Sequence, residues 1–172
     1  MLAAFKKRNQ RHLRKLNDDI LRDTAVECSK VNFELAILSY VLSKVVSKPR
    51  FLRKENERCL DEIEKGLERL TRRMRKADEK ELISIFKGIE HGISCLDERD
   101  PRFAISLITK GKLKMAATFY AQGMSLGVAS EMTGVEKQEI LDYAGHTMMF
   151  DRLKEEMSIK DRMKVARKLI SE

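Results

Sequence analysis

Apolar residues recur at steps of three and four along most of this 172-residue chain, and that spacing places them on one face of a helix. The plainest stripe consists of Leu60, Ile63, Leu67, Leu70 and Met74, and the next one of Leu82, Phe86, Ile89, Ile93 and Leu96. Only eight glycines and two prolines are available to break helices, and strand-like alternation is almost absent. The pattern therefore predicts an all-α fold.

Interruptions in the pattern indicate how the helices are grouped, because Pro49 and Pro101 both fall where the apolar spacing stops. We expect an N-terminal antiparallel helical bundle over residues 1–98, with surfaces for dimerisation or partner contacts. A helix-turn-helix-like tri-helical unit should follow over 99–148, and a C-terminal basic helix over 149–172.

Helix boundaries inside the bundle are less sharply marked than the helices themselves. An N-terminal apolar stripe runs from Leu13 to Val45. It fits either one long helix or two helices with a break near Asp23, where Thr24 and Glu27 have the spacing of a capping box. Asp78 and Glu81 have the same spacing ahead of the next helix. Gly88 and Gly92 are expected to let a neighbouring helix approach closely.

Several classes of protein are excluded by what the sequence lacks. The three cysteines, Cys28, Cys59 and Cys95, are widely spaced without a C-x-x-C pair, so we expect reduced thiols and neither a disulfide framework nor a zinc site. No nucleotide-binding or hydrolase motif is present, so we expect no enzyme, no metal and no cofactor. No apolar run reaches the length of a membrane span, and we expect a cytoplasmic protein.

Residues 112–145 show a specific supersecondary pattern. Ser125 can cap a short helix from Leu126 to Thr133, Gly134 supplies a sharp turn, and a second helix follows from Glu136 to Ala144. Val135, Ile140 and Tyr143 have core-facing spacing, and Phe119 and Met132 are expected to close the same small core.

This stretch resembles small prokaryotic helix-turn-helix proteins, notably an antitoxin-like, DNA-binding family. The matching residues are Gly123, Ser125, Leu126, Gly127, Ala129, Ser130, Glu131, Met132, Thr133 and Gly134. The match departs from the family where one residue, Met124, separates Gly123 from Ser125, and where Ser130 replaces the usual alanine. The resemblance implies a tri-helical fold and covers no other part of the chain.

The last residues carry two further expectations. Residues 145–150 are the one candidate for extended backbone, and Ser158 with Asp161 is expected to open a final basic helix through Val165, Leu169 and Ile170.

The formal net charge of +8 is unevenly distributed. Residues 1–16 carry six cations and no acid, and residues 99–124 carry five cations against one acid. Residues 48–76 carry eleven cations against six acids, but the signs are interleaved, so we interpret that zone as a solvated surface. Residues 125–150 have one cation, Lys137, against four acids, which gives the second helix of the motif an acidic surface.

The first hypothesis is a non-enzymatic regulator that binds duplex DNA, in preference to RNA, through phosphate contacts and modest base reading. A homodimer formed through the bundle is a further expectation. The residues expected to contact nucleic acid are Arg8, Arg11, Arg14, Lys110, Lys112, Lys114, Ser125, Glu136, Lys137 and Gln138. The lysines at 110, 112 and 114 alternate, so one helix cannot aim all three the same way.

The alternative hypothesis is a protein-interaction module in which the helix-turn-helix unit is structural. Its acidic second helix would then contact a partner protein through Glu139, Leu141 and Asp142. Leu141 is expected to point away from the motif's own core, where an apolar residue favours a protein contact or packing against the N-terminal bundle.

Overall fold

A computed structural model describes residues 1–26, 29–98 and 106–152, and their regular structure is helical throughout. The helices are α1 (Leu2–Lys6), α2 (Gln10–Val26), α3 (Lys30–Val46), α4 (Glu57–Arg73), α5 (Glu79–Glu98), α6 (Leu107–Ala121), α7 (Leu126–Thr133), α8 (Lys137–His146) and α9 (Met149–Arg152). Two short 3₁₀ turns, Pro49–Leu52 and Lys54–Asn56, connect α3 to α4. The prediction of an all-α fold is confirmed.

The N-terminal stripe forms two helices and not one. The side-chain oxygen of Ser29 accepts a hydrogen bond from the Asn32 backbone amide and caps α3. Thr24 does not start a helix, because it lies within α2 and its hydroxyl donates to the Ile20 carbonyl. The predicted break near Asp23 is therefore misplaced.

Two helical hairpins, α2–α3 and α4–α5, build the larger core, and α6 closes it. The fully buried Phe33 of α3 meets the fully buried Phe119 of α6, with their ring centroids 4.3 Å apart. All members of the two predicted stripes are buried except Met74, which is 37% exposed just beyond the end of α4. The helical spacing thus identified the buried faces of α4 and α5.

Buried polar groups fix how α6 sits on the hairpins. The Asn17 amide of α2 donates to the Ala36 carbonyl at 2.8 Å and to the Ser39 hydroxyl at 2.9 Å, and it also approaches Met115 of α6. At the start of α6, the Leu107 backbone amide donates to the buried Asp97 carboxylate of α5 at 2.7 Å. Since a buried polar group without a partner is costly, these bonds favour one arrangement of the helices.

A disulfide joins Cys59 of α4 to Cys95 of α5, with the two Cα atoms 5.9 Å apart. The expectation of reduced, unpaired thiols is therefore wrong for these two cysteines, and Cys28 lies outside the described residues. The close approach is helped by Gly92, where an added Cβ would lie 3.4 Å from the Cys59 carbonyl oxygen. Gly88 plays no such part, because an added Cβ there would meet no atom within 4 Å.

Helices α6, α7 and α8 share a smaller apolar cluster of their own. Its buried members are Ala116, Ala117, Ala129, Val135, Ile140, Ala144 and Met149, and Tyr143 packs against it. Phe119 and Met132 were expected here, but both pack into the larger core. One face of α6 therefore serves the hairpins and the other serves the smaller cluster.

The turns of this three-helix segment follow the local sequence. The Val128 backbone amide donates to the Ser125 hydroxyl, which caps α7. Gly134 ends α7 in the left-handed region, at φ 70°, where a residue without Cβ carries no steric penalty. Residues 145–150 are not extended, since they include the end of α8 and the start of α9. The proposed cap at Ser158 and most of the predicted C-terminal basic helix lie outside the described residues.

Candidate nucleic-acid interface

The N-terminal end of α8 is exposed, but its side chains are poorly suited to contacting DNA bases. Glu136, Lys137, Gln138 and Glu139 are all solvent-exposed at its N-terminal end. The Gln138 amide, which could donate to a base, instead donates to the Asp142 carboxylate at 2.8 Å. A carboxylate on this face repels phosphates, so α8 offers little for the major groove.

The predicted partner-binding residues lie on the same helix. Leu141 is 38% exposed, as its position away from the motif core predicts, and Glu139 and Asp142 are exposed beside it. Ser125 is exposed, and its hydroxyl is engaged as the cap of α7.

The lysines of α6 point to different neighbours, as their alternate positions require. Lys112 forms an ion pair with Glu90 of α5, with Nζ and Oε1 3.4 Å apart. The ammonium of Lys114 lies 4.8 Å from the centre of the Tyr40 ring of α3. Lys110 is exposed one turn before Lys114. Lys112 is thus separated from the other two and held against the bundle.

The N-terminal cations are only partly available to a ligand. Arg8 forms an ion pair with Glu64 of α4 at 3.2 Å, and Lys6 pairs with Glu68 at 2.6 Å. The acids that the first sixteen residues lack are therefore supplied by α4. Arg11 and Arg14 of α2 remain exposed.

Five cations act on Tyr40 or on Lys48, and together with Lys48 they form a set that we call the Tyr40 basic cluster. Its members are Arg14 of α2, Lys44 of α3, Lys48 and Arg50 after α3, and Lys110 and Lys114 of α6. The Lys44 ammonium lies 5.2 Å from the Tyr40 ring centre. These short cation–ring distances place α3 and α6 cations on one surface.

Two shifted pKa values show that the members act on one another through space. Burial lowers the pKa of Lys48, the neighbouring charges of Arg50, Lys110 and Lys44 lower it further, and the Asp97 carboxylate opposes this fall. Burial, together with the nearby Tyr143, raises the pKa of Tyr40 to about 12, and Arg14 opposes this rise. The charge around Lys48 is therefore predominantly positive, with Asp97 as the acid beside it.

Three members of the cluster, Lys44, Lys48 and Arg50, were not among the expected site residues. The available signal was the spacing of Tyr40 and Lys44, which puts an aromatic ring and a cation on one face of α3, with Lys48 four residues further along the sequence. Lys48 and Arg50 belong to the zone interpreted as a solvated mixed-charge surface, and that interpretation missed their position beside α6.

A small apolar cleft between α3, α5 and α6 contains two carboxylates, Glu34 and Glu90. Burial raises the pKa of Glu34, and the negative charge of Glu90 adds to the rise. Within the described residues, no group of three or more side chains is arranged to hold a metal ion. No helix in the same ranges is both long enough and apolar enough to cross a membrane.

Comparison with known proteins gives no match to a family model, to a curated protein or to a solved structure.

Proposed function

We propose that this protein is a non-enzymatic, nucleic-acid-associated regulator that binds the phosphates of duplex DNA through the Tyr40 basic cluster. The observation that carries the proposal is that cations of α2, α3 and α6 lie around the Tyr40 ring. Neutralising phosphates releases counterions from the duplex, which supplies affinity without base reading.

A duplex is favoured over a single strand because of how Tyr40 is used. Single-strand readers offer an aromatic face on which a base stacks. Here the Tyr40 ring is half-buried and two ammonium groups lie within about 5 Å of its centre. The ring therefore helps to position the lysines, and the lysines contact the phosphate groups of the duplex. The acidic α8 contributes little to sequence recognition in this arrangement.

The test is a binding titration with the full chain and two duplexes of unrelated sequence. We expect steep loss of affinity with salt and similar affinities for the two duplexes. Lys114→Ala and Lys44→Ala should each weaken binding to the same extent for the two duplexes. Each should also lower the slope of log affinity against log salt concentration by about one. Lys112→Ala is the matched control on the same helix, because Lys112 pairs with Glu90 away from the cluster.

Two results would reject the proposal. One is the absence of binding to either duplex at low salt. The other is an equal loss of affinity from Lys112→Ala and Lys114→Ala, because that would show dependence on total charge and not on the cluster. Tighter binding to duplex RNA or to a single strand would replace duplex DNA as the ligand.

A second candidate function is a protein-interaction module, favoured by the acidic surface of α8 around the exposed Leu141. In that case Leu141→Asp should abolish a partner complex and leave nucleic-acid affinity unchanged.

A further inference from the structure

Exposed apolar side chains concentrate near the end of the described chain. Five large apolar side chains in the described residues are exposed, and three of them lie between residues 141 and 150. These are Leu141 at 38%, Met148 at 65% and Phe150 at 52% exposure. Phe150 packs edge-to-face with Tyr120 of α6, and about half of its surface remains in solvent. Such a concentration is typical of a surface that another element covers.

The exposed charges of α8 around Leu141 are mostly negative, with Lys137 as the one cation. Glu139 and Asp142 of α8 are exposed, and Glu136 lies at its N-terminus. An element that covers this surface therefore needs an apolar stripe bordered by cations. We call the surface formed by α8 and residues 147–150 the α8 acidic face.

The sequence that follows Arg152 has this chemistry. Ile159, Met163, Ala166 and Ile170 are spaced by four, three and four residues, as on one face of a helix. Between Ile159 and Ile170 there are five cations and one acid, Asp161. The segment is thus complementary to the α8 acidic face in both apolar pattern and charge.

We propose that the α8 acidic face is the docking surface for residues 153–172 of the same chain. The seven residues from Arg152 to Ile159 span up to about 23 Å when extended, and the ten residues of α8 extend about 15 Å. The segment can therefore reach the whole face. A short tether also gives it an effective concentration in the millimolar range, above that of a separate molecule. This proposal does not depend on DNA binding.

The experiment uses the absence of tryptophan from the chain. Ile170→Trp in the full-length protein places a single indole on the proposed docking stripe. We expect emission and resistance to a soluble quencher typical of a buried indole, unchanged on dilution. Adding Leu141→Asp should shift the emission to longer wavelength and restore quenching. Adding Asp142→Arg should act in the same direction by charge repulsion.

Met74→Asp is the matched control, because Met74 is an equally exposed apolar side chain just beyond the end of α4. It should leave the emission unchanged, and far-ultraviolet circular dichroism should show that every variant remains helical.

An indole that is already solvent-exposed in Ile170→Trp would overturn the proposal and leave the face to a partner protein. A buried indole that ignores Leu141→Asp would overturn it too. Burial that is lost on dilution would assign the face to a second copy of the chain.

Discussion

Gly111 of α6 packs tightly against α3, and replacing it with alanine tests the packing beneath the Tyr40 basic cluster. An added Cβ would lie 2.5 Å from Val41 Cγ2, far inside the 3.5–4.0 Å of ordinary carbon contacts. Val41 is 1% exposed and β-branched, so its side chain has little freedom to rotate away. Alanine at this position should therefore push the two helices apart.

Two opposing effects set the size of the change in the free energy of unfolding. Overpacking a core costs about 1–3 kcal/mol. Alanine recovers about 1 kcal/mol relative to glycine inside a helix. The expected net effect of Gly111→Ala is thus a destabilisation of roughly 0–2 kcal/mol. Gly88→Ala is the matched control in α5, since its Cβ would meet no atom within 4 Å and only the stabilising effect of about 1 kcal/mol applies.

Thermal unfolding followed by circular dichroism measures the difference. At about 2–4 °C per kcal/mol for a chain of this size, Gly111→Ala should melt roughly 2–12 °C below Gly88→Ala. In a double-mutant cycle, Val41→Ala should cost less in the Gly111→Ala background than alone, because it removes the clashing methyl. Equal melting temperatures for the two glycine variants would refute the reasoning.

Two further predictions concern the bundle. The Cys59–Cys95 disulfide closes a loop with a sequence separation of 36. On the chain-entropy model, reduction or Cys95→Ser should therefore lower the free energy of unfolding by about 4 kcal/mol. Denaturant titration with and without reductant measures this difference, and identical unfolding curves would count against the prediction. Glu34 lies near Glu90, Lys112, Lys30 and Lys87, and its pKa is raised in the folded state. The folded protein binds a proton at Glu34 more strongly than the unfolded chain does. The free energy of unfolding therefore falls as pH rises from the ordinary glutamate range through the raised pKa. Glu34→Gln should raise the melting temperature at neutral pH and change it little in acid, and a lower melting temperature at neutral pH would contradict this.

Helical patterning and capping could be predicted from the sequence because both depend on residues a few positions apart. The stripe on α5, the Ser125 cap, the turn at Gly134 and the exposure of Leu141 all follow from such short spacings. The break between α2 and α3 shows the limit of local signals. Thr24 and Glu27 have capping-box spacing, yet Ser29 is the residue that caps α3.

The pairing of charges could not be predicted in this way. Arg8 belongs to a segment without acids, but the docking of α1 against α4 gives it Glu64. Lys112 and Lys114 are two residues apart, but α5 neutralises one while α3 places the other over Tyr40. Counting charges along the sequence cannot distinguish Lys112 from Lys114.

The sequence by itself therefore determined that the chain is helical, which face of each helix is buried and where several helices begin and end. Only the tertiary structure decided that Cys59 meets Cys95 and that cations of α2, α3 and α6 lie around Tyr40. The physical reason is that a helix face depends on the 3.6-residue repeat of a single segment. A site between helices depends on which segments pack together, and that is settled by burial across the whole core.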